Sequence, residues 1–359
     1  MAWPYSTVQY QLCRLFHGYV AAALLCTAAQ ACLGAEPAPR IIGRIERHDP
    51  AVDELLPREA QMEILCAGFQ WIEGPVWVPK GNGSSAGFLL FSEIPNNAIR
   101  RWNANHGCRL YLKPAGYTGQ IPRGGESGSN GLVLDRSGRL ILCQHGDRRV
   151  ALLDAPWDAP KPNYVTLADR YQGKRLNSPN DAVVHSSGAI YFTDPPYGLE
   201  KGMEDPAKEL AFQGVYLIAP DGNLTLLTDE LERPNGIALS PDEKTLYVAN
   251  SHKPRPIIMA FPVNDDGTLG PGRDFFSARQ LSDQYEGACD GMVVDRRGNI
   301  FATVPGGVAI LSPRGKHLGT LLTGKRTSNC TFGEDGSTLF ITADDSLLRI
   351  RLTTKGLGF

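Results

Sequence analysis

Apolar and polar residues alternate in short bursts along this chain, and each burst is bounded by a polar turn. Five segments repeat one form, a turn followed by an apolar strand: Asp135-Arg-Ser-Gly-Arg-Leu-Ile-Leu, His185-Ser-Ser-Gly-Ala-Ile-Tyr-Phe, Pro241-Asp-Glu-Lys-Thr-Leu-Tyr-Val, Asp295-Arg-Arg-Gly-Asn-Ile-Phe-Ala and Glu334-Asp-Gly-Ser-Thr-Leu-Phe-Ile. Ahead of each lies another strand that opens on an amide or an acid: Asn130-Gly-Leu-Val-Leu, Asn180-Asp-Ala-Val-Val, Asn235-Gly-Ile-Ala-Leu, Asp290-Gly-Met-Val-Val and Asn329-Cys-Thr-Phe-Gly, with Glu73-Gly-Pro-Val-Trp as a sixth opening upstream. A third strand follows in several units, as in Gly214-Val-Tyr-Leu-Ile and Gly307-Val-Ala-Ile-Leu. Alternation with period two marks strands with one buried face, and glycine in the turn accepts a positive φ. Only Arg47 to Cys66 hints at a helix; no other window of about 12 residues keeps a 3.6 period with caps.

The unit recurs six times at intervals of about 40 to 57 residues, a period that signals stacked or circular repeats. Three or four strands per unit predict an all-β, six-bladed β-propeller of four-stranded antiparallel blades around a central channel, one domain over residues 40–359. Two β-sandwiches would not place the same polar residue at the same point of every unit. The 39 glycines and 26 prolines suit a chain of turns. With 42% hydrophobic and 21% charged residues over 359 positions, neither disorder nor a membrane-embedded body is expected. The net charge of −2 leaves no basic surplus for nucleic acid.

Residues 15–34 form an Ala- and Leu-rich stretch after the single cation Arg14, and Ala29-Gln30-Ala31 has the small-x-small form of a signal-peptidase site. The expectation is a cleavable secretory signal over residues 1–31, with 35 as its outer limit, and an exported protein, periplasmic or secreted. An uncleaved segment would instead be a membrane anchor, the one route to a membrane in this chain. Cys13, Cys26 and Cys32 fall in this region, leaving Cys66, Cys108, Cys143, Cys289 and Cys330. None has zinc-finger or redox spacing, one or two disulfides are compatible with export, and Cys143 and Cys330 read as small hydrophobes in strands.

In a closed ring, Glu73, Asn130, Asn180, Asn235, Asp290 and Asn329 would all face one mouth of the channel. Six hard oxygen donors would meet there, two of them acids, a set suited to one divalent cation: Ca²⁺ first, with Zn²⁺, Mg²⁺ or Mn²⁺ also compatible. The competing explanation is turn chemistry, in which an Asx side chain bonds its own backbone; it fits Asn329 best and Glu73 least.

Four motifs on this repeat, Glu73-Gly-Pro-Val-Trp, Asn177-Ser-Pro-Asn-Asp181, Arg233-Pro-Asn-Gly-Ile237 and Asp290-Gly-Met, make the chain resemble the gluconolactonase and regucalcin (senescence marker protein) family. The longer bacterial gluconolactonases are especially similar, through Phe91-Ser-Glu-Ile-Pro-Asn-Asn97, His145-Gly-Asp-Arg-Arg149 and Tyr191-Phe-Thr-Asp-Pro-Pro-Tyr-Gly198. The resemblance implies hydrolysis of sugar lactones at one divalent cation in the channel. It implies Glu73, Asn235 and Asp290 as metal ligands, with Asn180 a further ligand or a substrate-orienting amide. One position departs: Gln144 stands where the family pattern carries Glu before His145, so no second acid is expected there.

For lactone opening, Asp290 is the leading general base and His145 its rival, since histidine titrates near neutral pH. Asn130 faces the same channel as a substrate-side amide, and Arg148 and Tyr197 are candidates to hold sugar hydroxyls or an acid group. Asp194 is placed either at the channel mouth or in a local turn. The loops 114–129 and 200–213 are expected to shape the pocket, with Gly124-Gly-Glu-Ser-Gly128 read as flexible. Two other classes stay open: a non-catalytic binding scaffold with a structural cation, and a paraoxonase-like esterase, which needs a histidine pair where only His145 and His185 are on offer. A serine hydrolase is disfavoured because no Gly-x-Ser-x-Gly occurs. The identity of the lactone and the oligomeric state are not encoded in any readable motif.

Overall fold

Each of the six openings becomes the innermost strand of a blade, and each sheet then grows outward in chain order. Blade 1 runs Ile72–Val78, Phe88–Glu93, Ala98–Asn103, Gly107–Leu112; blade 2 begins with Ser129–Leu134, blade 3 with Ala182–Val184, blade 4 with Pro234–Leu239, blade 5 with Met292–Val294 and blade 6 with Thr327–Gly333. The computed structural model describes residues 39–81 and 87–359, so the signal expected over residues 1–31 lies outside the described residues. The inner strands touch their neighbours in order around a closed circle, giving the six-bladed propeller. Among the described residues no helix is long and apolar enough to cross a membrane.

The core is divided among the seams. Leu90 and Ile99 of blade 1 meet Leu132 and Leu142 of blade 2, and the same arrangement recurs at each of the other seams, ending with Phe340 and Leu347 of blade 6 against Leu89 and Trp102 of blade 1. Every residue in these clusters is close to fully buried, so each blade depends on two neighbours for its apolar faces.

Chain closure departs from the simple four-stranded expectation. The strand Met62–Ala67 supplies the outer strand of blade 6, pairing with Ser346–Arg351, while Arg40–Ile42 and Arg44–Arg47 add fifth strands to blades 6 and 5. The supposed helix at Arg47 to Cys66 is instead a short 3₁₀ turn, Pro50–Glu54, capped by the Asp49 side chain, then a run of turns leading into the strand Met62–Ala67. Its apolar spacing answers the unpaired edge of blade 6 rather than a helical face. A disulfide joins Cys66 on that outer strand to Cys108 on the outer strand of blade 1, tying the first and last blades together. Cys143, Cys289 and Cys330 are free and buried.

Polar ties at every seam hold the channel residues in position. Ser92 donates its hydroxyl to the Asn130 carbonyl (2.7 Å), Thr193 to Asn235 (2.7 Å), Ser251 to Cys289 (2.9 Å), Thr303 to Ser328 (3.0 Å) and Ser328 to Ile72 (2.7 Å). At the remaining seam the Gly131 amide donates to the Asn180 carbonyl at 2.7 Å. This explains the recurring glycine. A Cβ on Gly131 would stand 2.7 Å from the Asn180 carbonyl oxygen, and one on Gly236 only 2.2 Å from that of Asp290. Neither glycine has a positive φ, so close approach of the next blade requires them, not turn conformation.

Candidate active site

A cavity of about 700 Å³ opens at the end of the channel where the six inner strands begin. Glu73, Asn130, Asn180, Asn235 and Asp290 line it, together with Trp71, Glu126, Tyr197, Arg233 and Ser251. Asn329 is absent from the lining: its side-chain oxygen accepts from the Cys330 amide at 2.8 Å, the local bonding expected of it.

Glu73 lies on the inner strand of blade 1, and Asp290 stands two residues ahead of that of blade 5. Burial holds the Glu73 carboxyl well above the usual carboxylate range, and the charge of Asp290 adds to the effect. Burial likewise raises Asp290, reinforced by Asp181 and Glu126 and opposed by a hydrogen bond from the Asn235 side chain. One oxygen of Glu73 accepts from the Gly74 amide at 3.0 Å. Asp290 Oδ1 and Asn130 Oδ1 are buried and have no hydrogen-bond partner, so two acceptors at the cavity stand unsatisfied, one on an acid and one on an amide. Such a set fits a cation: hard oxygens, an unbalanced negative charge and unmet acceptors. Among the described residues, no group of three or more His, Cys, Asp or Glu side chains is placed to hold a metal, so amides must complete any coordination here.

The amides form one chain of hydrogen bonds. Asn180 Oδ1 accepts from Asn130 Nδ2 at 2.8 Å and from His145 Nε2 at 3.1 Å, while Asn180 Nδ2 donates to Asn235 Oδ1 at 2.5 Å. Asn235 Nδ2 in turn donates to Ser251 Oγ at 2.8 Å. An amide oxygen has two lone pairs. Both are used on Asn180, whereas Asn235 Oδ1 keeps one, so Asn180 is placed to orient its neighbours and Asn235 to act as a ligand. The backbone carrying Asn180 is pinned by Asp194, whose two carboxylate oxygens accept from the Asn177 and Ser178 amides at 2.7 Å each. Asp194 thus holds the turn and does not line the cavity.

Two residues expected at the substrate are placed elsewhere. Arg148 is buried, and its guanidinium donates to the carbonyls of Leu176 (2.8 Å), Asn177 (3.0 Å) and Ala207 (2.8 Å), bracing loops behind the cavity. His145, at the end of the second strand of blade 2, is wholly buried and does not line the cavity. Its Nδ1 stands 3.0 Å from Glu126 Oε2, an ion-pair contact, and its Nε2 faces the Asn180 oxygen. The Asn180 oxygen only accepts, so Nε2 brings its hydrogen to it, while Nδ1 has no hydrogen-bond partner. His185 lies in the turn at the far end of blade 3, against Ser187 and Glu243, so the structure does not bring the two histidines together. Tyr197 does line the cavity; burial pushes its hydroxyl up to about 12.

Glu126 is the acid in the cavity wall, beside Glu73 and Asp290 in the amide-lined part of the site, that sequence reasoning missed. It comes from the segment read as a flexible loop, yet that loop is clamped: Arg123 donates to the carbonyls of Gly146 (2.9 Å) and Gly198, Gly124 N donates to Glu200 Oε1 (3.1 Å), and Gly128 N donates to the Ile94 carbonyl (2.9 Å). A Cβ on Gly146 would stand 2.4 Å from the Ser127 carbonyl oxygen. Loop 200–213 contributes no lining residue and serves as the brace. Gln144, lacking the acid of the family pattern, turns away, its Nε2 donating to the Ala115 carbonyl at 2.8 Å. The one available signal was an acid among small residues just ahead of Asn130.

Fold and cavity together define a propeller with a paired-acid, amide-lined site on its axis. The family model described as SMP-30/Gluconolactonase/LRE-like region matches residues 71–345. The chain is 41% identical over 322 residues to gluconolactonase from Zymomonas mobilis, covering 88% of each. It is 31% identical to a solved gluconolactonase from Xanthomonas campestris, with a TM-score of 0.73 over 89% of this chain and 99% of that one. Regucalcin from Gallus gallus is 26% identical over 79% of this chain and 87% of its own. The chain belongs to the SMP-30/gluconolactonase family.

Proposed function

We propose that this protein is a hydrolase that opens sugar lactones to aldonic acids, using one divalent cation held by Glu73, Asn235 and Asp290. The observation that carries the reading is the pair of buried acids with unsatisfied acceptors in an axial cavity, in a chain so similar to a named gluconolactonase. When bound, the cation would counter the negative charge that develops on the lactone carbonyl oxygen. Asp290 takes a proton from the attacking water as the water oxygen bonds to the carbonyl carbon. The ring carbon–oxygen bond then breaks, and the departing oxygen leaves as a hydroxyl with that proton. Asn130 and Tyr197 face the sugar as hydrogen-bonding groups. Ca²⁺ is the first choice of cation, in keeping with the oxygen-only donor set. Export as a periplasmic or secreted protein is part of the same reading, supported by the Cys66–Cys108 bridge, since disulfides persist in oxidising compartments.

The test is an activity matrix: purified protein stripped with EDTA, reloaded with Ca²⁺, Zn²⁺, Mg²⁺ or Mn²⁺ in turn, and assayed on a panel of aldonolactones. Turnover with at least one pair is expected; no turnover with any would make the protein a scaffold with a structural cation.

A pH dependence follows from the raised acids. Because Glu73 and Asp290 titrate above the ordinary carboxylate range of about 4, they still hold proton at pH values where exposed acids do not. Cation binding must displace it, so Ca²⁺ affinity rises with pH through that raised titration and protons are released on binding. Stability without cation runs the other way. A raised folded pKa contributes stability that is fully present below the unfolded value and is lost as pH rises through the folded one. The cation-free melting temperature therefore falls with rising pH over this window, and CaCl₂ restores it. Calorimetry in two buffers of different ionisation enthalpy measures the proton release; a pH-independent affinity would count against the pair as ligands.

A further inference from the structure

We infer that Glu126 is a positioning residue for the cation-binding amide, acting through His145 and Asn180. The inference rests on the reading of Glu73, Asn235 and Asp290 as the cation-holding set. Four side chains form the route: Glu126 Oε2 to His145 Nδ1 at 3.0 Å, His145 Nε2 to Asn180 Oδ1 at 3.1 Å, and Asn180 Nδ2 to Asn235 Oδ1 at 2.5 Å. His145 is wholly buried and lies off the cavity, so its ring has no water as an alternative partner. Of the four, only His145 stays off the cavity lining; the Glu126 side chain is 34% exposed there.

The two hydrogen bonds orient the amides, and the carboxylate 3.0 Å from Nδ1 favours the ring orientation that turns Nε2 to Asn180. An imidazole flipped away from Glu126 would present carbon to Asn180 and leave one lone pair of its amide oxygen unmet. The Asn180 side chain could then rotate, and Asn235 would lose the donor that now holds its oxygen. The clamps on loop 114–128 keep Glu126 in place, and Arg123 ties that loop to the backbone on either side of the His145 ring, at Gly146 and Gly198. With Gln144 turned toward Ala115 and Arg149, no other carboxylate is positioned within ion-pair distance of His145 among the described residues. A carboxylate delivered by a loop from the neighbouring seam thus supports an amide two blades along the ring. Outer groups that orient ligands typically change metal affinity or activity by about 10–100-fold when removed.

The experiment titrates CaCl₂ into the purified full chain by calorimetry for wild type, Glu126→Ala, Asp290→Asn, His145→Gln and the Glu126→Ala/His145→Gln double variant. Glu126→Ala is expected to weaken Ca²⁺ binding by about 10-fold, and in the His145→Gln background the same change is expected to do almost nothing further, the non-additivity of residues on one route. An unchanged affinity in Glu126→Ala overturns the proposal. Equal losses in both backgrounds also overturn it, because Glu126 would then act directly on the cation by its charge. If His145→Gln does not fold, the imidazole ¹H–¹⁵N signals of His145 in Glu126→Ala decide: shifted signals support the route, unshifted ones overturn it. Failure of the underlying site reading looks different, as Asp290→Asn would then bind Ca²⁺ like wild type.

Discussion

Asp290→Asn lowers kcat for lactone opening by about 10²–10⁴-fold, the range expected when a positioned general base is removed. Asn keeps the shape and the hydrogen bond from Asn235 but cannot take a proton from water. It also removes one of two like charges in a buried site. The Asp290 carboxyl already sits well above its usual range because burial and the nearby acids Asp181 and Glu126 disfavour its charge. The variant is therefore at least as stable as wild type without cation, and it loses the rise in melting temperature that CaCl₂ gives the wild type. Loss of activity with retained or increased stability separates a chemical role from a folding defect. Steady-state hydrolysis in a pH-stat and melting curves with and without CaCl₂ measure both sides. Activity within about 3-fold of wild type would remove Asp290 from the mechanism, since a base contributes far more than that.

The largest stability effect is expected at the seam where the ring closes. Phe340, on the second strand of blade 6, is wholly buried and stacks on Trp77 of blade 1 with ring centroids 5.8 Å apart and planes 12° from parallel. It also meets Trp102, on the third strand of blade 1, at 5.1 Å. Phe340→Ala removes the ring that both tryptophans pack on and leaves a void that two rigid indoles cannot fill. The expected loss is about 3–5 kcal/mol. For a chain of this length that corresponds to a melting temperature lower by on the order of 10 °C. Differential scanning calorimetry measures it, and tryptophan fluorescence reports the exposed indoles. A loss under about 1 kcal/mol would mean that the indoles collapse into the space.

The propeller was legible because its information is local. Alternating strands such as Leu140–Gln144 and Thr245–Asn250, each preceded by a polar turn, declare themselves within a few residues, and their recurrence implies a ring. The closure was not legible. Met62–Ala67 pairs with Ser346–Arg351 nearly the whole chain away, and its apolar spacing is as compatible with a helix as with an edge strand. The same division holds in the site. Glu73, Asn130, Asn180, Asn235 and Asp290 could be found because the repeat places them at equivalent points of the inner strands. Glu126 could not, since it reaches the cavity from a loop with no period. His145 carried a residue type suited to base chemistry, but its role depends on what its two nitrogens face, and Arg148 likewise on carbonyls supplied by distant loops. Side chains whose partners come from irregular segments are where pattern reasoning stops.

The closure also sets the order in which this protein can be made. The outer strand of blade 6 leaves the ribosome before the four strands of blade 1, and the three strands it joins leave after those of blade 5. Early blades can form their own hairpins during synthesis, but the ring cannot close until the strands of blade 6 have been made. Until then the Met62–Ala67 edge and the Trp77 and Trp102 face stay uncovered, open to any other strand or chaperone that meets them. The Cys66–Cys108 crosslink needs no such wait. Both of its residues emerge early, so a bridge formed at that stage would fix the waiting edge strand beside blade 1, where the last blade has to dock.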